Sequence, residues 1–146
     1  MGRSMKVNQE RGTSTLELAI AVPILLLMLL AIVDLGGLLY TGIEVANAAR
    51  AGVAYGIQSA KESDLTGMQT AAVNDAGNVT GLTATASQFC TCSNGNAQKC
   101  SSGKGNCQDW RTYVEVDTQA SYQTLISYPG IPSPITVTGK AVMRAQ

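Results

Sequence analysis

The side chains with the most chemistry to offer are four cysteines in one short stretch, "CTCSNGNAQKCSSGKGNC", at Cys90, Cys92, Cys100 and Cys107. Cysteines at such close spacing hold a metal ion as thiolates or pair as disulfides. Structural zinc sites are built from C-x2-C knuckles, often with histidine. Here the spacing is C-x-C-x7-C-x6-C, and the chain has no histidine at all. Disulfides suit the pattern if this part of the chain faces an oxidising compartment. A Cys90–Cys92 bond would close a small, strained ring, which leaves two pairings of the four open. Either one braces a glycine-, serine- and asparagine-rich loop, residues 90–107, with almost no apolar side chains of its own. Thiol redox catalysis fits poorly, because no C-x-x-C is present.

The missing histidine also removes the commonest general base at neutral pH. The serines, lysines and carboxylates are scattered, without a nucleophile elbow, a phosphate-cradling glycine loop or a pair of acids. The sequence therefore assigns no catalytic residue, no metal and no cofactor, and it reads as a non-enzyme. Ten basic and ten acidic residues cancel, no basic run exists and aromatic residues make up only 5 %. Nucleic acid is excluded as a partner on those grounds.

The second candidate for chemistry is a carboxylate, Glu17, set directly against the apolar run from Leu18 to Val33. After Asp34 the apolar character resumes through Leu35, Leu38, Leu39 and Tyr40. As a helix, residues 18–40 would be roughly 35 Å long, enough to cross a hydrocarbon layer of about 30 Å. Arg3, Lys6 and Arg11 precede the run against one acid, Glu10. The positive-inside bias thus keeps the N-terminus cytoplasmic and sends the rest of the chain outward. Pro23, in the second turn of the run, removes one intrahelical bond and is expected to bend the helix near its start. Asp34 sits roughly 25 Å beyond Glu17 along such a helix, at the expected outer headgroups. A cleaved signal peptide competes with this reading, since Ala46-Asn47-Ala48 offers a small-x-small cut, but that site lies far past the end of the run. Glu17 also has a plain alternative as an acid at the positive end of a helix dipole.

The string "RGTSTLE" before the apolar helix resembles the processing signal of type IV pilin-like precursors. With Pro23, the acid-x-glycine element at Asp34 and Gly36, and "NAARAG" at Asn47 to Gly52, the first third of the chain resembles TadE-like pseudopilins. The family's acid in the middle element is more usually Glu, so Asp34 departs from it. The resemblance implies cleavage between Gly12 and Thr13 by a prepilin peptidase. It also implies that the hydrophobic helix stays attached and enters a tight-adherence (Flp) type IV pilus, with Glu17 and Pro23 serving assembly. Glu17 would pair with the freed amino group of a neighbouring Thr13. The partners so implied are the prepilin peptidase, the major pilin, other pseudopilins and the inner-membrane assembly platform. The implied location is the bacterial inner membrane, single-pass with the C-terminal domain extracytoplasmic, and then the pilus at the cell surface, with a role in adhesion. The length favours a minor pilin; a major filament-forming subunit and a membrane-anchored extracytoplasmic binding domain are the alternatives.

Beyond Tyr40 the helical pattern continues, with Ile43, Ala46, Arg50 and Val53 spaced three or four apart. Small residues recur at Ala48, Gly52, Gly56 and Ala60, a spacing that lets helices approach closely, either within the domain or between subunits. A short amphipathic helix is expected from a Ser63 cap to Asp75, with Leu65, Met68, Ala72 and Val73 inward and Gly77 ending it. "LTATASQF" alternates as a strand, and "WRTYVEVDTQASYQ" does so clearly, with Trp110, Val114, Val116, Thr118, Ala120 and Tyr122 on one side. "SYPGIPSP" is turn-rich, and "ITVTGKAVMRAQ" alternates again with Ile135, Val137, Ala141 and Met143 inward. Asn78-Val79-Thr80 matches a glycosylation sequon. The expected fold is α+β and pilin-like: a long N-terminal transmembrane helix packed on a small antiparallel sheet. Its expected divisions are a leader at 1–12, an assembly helix at 13–60 and an extracytoplasmic domain at 61–146.

Overall fold

The computed structural model describes residues 11–92, 95–100 and 109–145, the first four by backbone alone. One helix, α1, runs from Arg11 to Gly56 and stays helical through Pro23. It is followed by α2 (Leu65–Asp75), β1 (Thr83–Thr91), β2 (Ala97–Gln98), β3 (Arg111–Tyr122) and β4 (Ile135–Arg144). The four strands form an antiparallel sheet in the order β2-β1-β3-β4. The α+β arrangement expected from the sequence is therefore present. The chain divides into two units, one up to Gly36 and one from Gly37 onward, so that α1 supplies the first and opens the second.

In the first unit the large apolar side chains from Leu16 to Val33 are 40 to 64 % exposed, on every side of the helix. No face is set aside for a core. A helix that is apolar all round belongs in a membrane or among other apolar helices. Asp34 differs from this surface: it is 3 % exposed, between Val33 at 53 % and Leu35 at 57 %. It is thus a buried acid set between exposed apolar neighbours.

In the second unit, the remainder of α1 and α2 cover one face of the sheet. Alternation in β3 turns Val114, Val116, Thr118 and Ala120 inward, as the period of two requires. One core cluster joins Val45, Ala48, Ala76, Leu82 and Ala120, and another joins Val53, Met68, Ala72, Val114 and Val116. The helix lies close because glycines meet it. A β-carbon on Gly52 would stand 2.9 Å from the Met68 carbonyl oxygen, and one on Gly139 only 2.6 Å from that of Val45. Gly56 faces the Met68 side chain. The row of small residues Ala48, Gly52 and Gly56 therefore serves packing within this unit; Ala60 lies outside the helix, exposed, with φ of 61°.

Several faces differ from expectation. On α1 the buried side chains are Val45, Ala48, Ala49 and Val53, while Ile43 is 60 % exposed and Arg50 is also exposed. On α2, Met68 and Ala72 are buried but Leu65 and Val73 are not. Asp64, one residue beyond Ser63, caps α2, its Oδ1 accepting from the Gly67 amide at 2.9 Å; the helix ends at Asp75 as expected, with Ala76 rather than Gly77 as its C-cap. Met143 is 37 % exposed, as suits an edge strand, and Gly139 is the fully inward position of β4. The cysteine segment, expected as loop throughout, contains the two-residue β2.

Candidate functional site

Two features carry the functional argument: the apolar helix with its acid, and the bridged cysteine segment. Glu17 is exposed on α1, and so is Pro23. Gly12 and Thr13 fall within the helical backbone of α1, and the Thr13 side chain lies outside the described residues. By length and composition α1 is able to cross a membrane, with a mean hydropathy of 2.8 in its apolar window. The charged residues before Arg11, namely Arg3, Lys6 and Glu10, lie outside the described residues.

Cys90 is fully buried at the end of β1 and is bonded to Cys100, with a Cα–Cα distance of 5.0 Å. This chooses between the two pairings that spacing left open. With its sulfur oxidised, Cys90 has no proton to give, so the Thr112 hydroxyl, 3.5 Å away, donates to it. Cys92 is also disulfide-bonded and accepts from the Gln98 side-chain amide at 3.1 Å. Cys107 lies outside the described residues. The short β1–β2 ladder, Cys90 with Gln98 and Thr91 with Ala97, brings the segment back along β1. Sulfurs held in disulfides are not thiolate ligands, which leaves Cys90, Cys92 and Cys100 to a bracing role.

The outward face of the sheet is polar. Lys140 on β4 reaches Glu115 at 2.7 Å and Asp117 at 3.8 Å on β3. The Glu115 hydrogen bond is the main cause holding the lysine's pKa above its ordinary value. Asp109 pairs with Arg111 at the start of β3, and the guanidinium's hydrogen bond holds the carboxyl below the usual range. Phe89 and Tyr113 stack with ring centres 5.4 Å apart. Opposite charges facing each other across strands are ordinary sheet pairing, and the described side chains bring together no nucleophile and base.

Among the described residues, one helix is long and apolar enough to cross a membrane, and it continues into a small antiparallel-sheet body. Residues 12–54 match the model of the family described as TadE-like protein, in agreement with the resemblance carried by those same residues. No curated protein and no solved structure matches the chain. The matched segment takes in Glu17, Pro23, Asp34 and Gly52. Sequence reasoning missed the burial of Asp34 and the inward role of Gly139. Asp34 stood out only as an acid interrupting an apolar run, and Gly139 only as the glycine in an alternating strand.

Proposed function

We propose that this protein is a minor pilin of a tight-adherence (Flp) type IV pilus, cut after Gly12 by a prepilin peptidase and incorporated through α1. The observation that carries this reading is the TadE-like match over residues 12–54, on a helix whose apolar side chains are exposed all round. Before assembly that surface is solvated by lipid in the bacterial inner membrane, with the body outside. In the filament the same surface meets the helices of the major pilin and other pseudopilins, handed over by the inner-membrane assembly platform. Freed Thr13 carries a new amino group, and Glu17 of a neighbour offers it a carboxylate. In a water-poor environment that pairing fixes the register, because an unpaired charge there is costly. A bridged body of this size suits a minor component that shapes pilus biogenesis or adhesion, and a disulfide supports an extracytoplasmic location.

Mass spectrometry of the mature N-terminus tests processing: it should begin at Thr13, and Gly12→Leu should leave the leader in place. An intact leader on native protein overturns the reading, and so does a start at Ala49. Glu17→Ala should be cut normally yet drop out of sheared filaments. Electron microscopy of a deletion strain separates minor from major roles, since loss of most filament mass points to a major subunit.

A further inference from the structure

Charge is distributed unevenly along the β3–β4 hairpin. Arg111, Glu115, Asp117, Lys140 and Arg144 all lie in the half that includes the start of β3 and the end of β4, whereas residues 118–139 contain no charged side chain. The hairpin's connecting loop, residues 123–134, reads "QTLISYPGIPSP". Leu125 is 62 % exposed on it and Ile131 is 50 % exposed. Its two arms are tied, with Thr124 Oγ1 donating to Ser133 Oγ at 3.0 Å and the Ile131 amide to the Tyr128 carbonyl at 3.2 Å. Apolar side chains are thus displayed on a braced loop.

The position of the loop within the body says what it meets. A β-carbon on Gly37 would fall against the Tyr122 hydroxyl, one on Gly42 against Val137, and one on Gly52 against Val116; Thr118 donates to the Val45 carbonyl at 2.7 Å. Moving forward along α1 therefore moves backward along β3. Tyr122 and the loop after it stand at the end of the body where Gly37 begins it, the end at which the membrane-capable helix enters. Trp110 stands at the other end, roughly 40 Å away along β3.

We propose that loop 123–134 seats in the outer headgroup region of the bilayer that α1 crosses, giving the body a second membrane contact before assembly. The inference rests on the membrane-anchored state of the proposed function. Lipid is the favoured occupant because the loop follows Tyr122, which faces Gly37, the point where the chain passes to the apolar run that the proposed function places in the bilayer. An uncharged loop enters the interface without the cost of desolvating an ion. Pro129, Pro132 and Pro134 lack amide donors, so fewer backbone groups need water. Tyr128 and the exposed Tyr40 belong to the residue type enriched at this depth.

The test uses the full chain in phosphatidylethanolamine–phosphatidylglycerol vesicles with bromine on the acyl chains, which quenches tryptophan that touches them. Wild type reports from Trp110 and should stay bright. In a Trp110→Phe background, Leu26→Trp reports the helix, and Leu125→Trp and Ile131→Trp report the loop. All three should lose much of their emission and shift to the blue relative to unbrominated vesicles. Quenched Leu26→Trp with both loop variants as bright as wild type overturns the loop contact and leaves the anchor standing. Bright Leu26→Trp overturns the anchor and the loop contact together. Quenching of wild-type Trp110 equal to that of the loop variants overturns a seat specific to this end.

Discussion

Thr118 and Gly139 allow a helix to lie directly on β3 and β4. Thr118 is 2 % exposed, and its hydroxyl donates to the Val45 carbonyl, with the Gly139 carbonyl at 3.3 Å. Thr118→Val keeps the shape and removes one hydrogen bond, so a loss of about 1 kcal/mol is expected, with Thr118→Ser recovering most of it. Gly139→Ala is expected to cost about 1–3 kcal/mol, because the added carbon meets helix backbone that has no rotamer to change. Urea midpoints of the detergent-solubilised chain check both. The inward row of β3 was legible because Val114, Val116, Thr118 and Ala120 alternate with Glu115, Asp117 and Gln119. The inward face of α1 was not, because residues 41–56 mix small and apolar side chains around the whole helix and give little contrast to read. Nothing in composition distinguishes Val45, which is buried, from Ile43, which is exposed.

Helix α2 depends on its first turn. Asp64 accepts from the Gly67 amide and from the Tyr55 hydroxyl at 2.7 Å. The Tyr55 hydrogen bond, then the Gly67 amide, hold its carboxyl below the ordinary carboxylate range. A lowered folded pKa contributes stability that is complete above the unfolded value of about 3.9 and is lost as pH falls through the folded value. Wild type should therefore lose stability below about pH 4 more steeply than Asp64→Asn, as read from urea midpoints taken at successive pH values. The cap was misplaced by one residue in sequence reasoning because Ser63 and Asp64 are adjacent and both are good cap formers; the contact with Tyr55, distant in sequence, favours the second. The strands β1, β3 and β4 were visible through alternation, while β2 was hidden because two polar residues in a glycine-rich segment carry no period.

The body combines two modest core clusters with a cross-linked segment. Closing the ten-residue separation between Cys90 and Cys100 contributes about 2–3 kcal/mol on the chain-entropy account. Reduction should lower the urea midpoint correspondingly, and non-reducing peptide mapping should recover Cys90 with Cys100 and Cys92 with Cys107. The class of fold was legible from the sequence because its two halves use different languages, a continuous apolar run and then alternation. The pairing of cysteines was not, since spacing alone constrains loop geometry weakly. The shared helix has a practical corollary. Val45, Ala48, Ala49 and Val53 are as much a part of the globular half as any strand, so a secreted fragment prepared for crystallisation should start near Gly37. One trimmed to the first residue after Gly56 would expose the inner face of the sheet to water and precipitate.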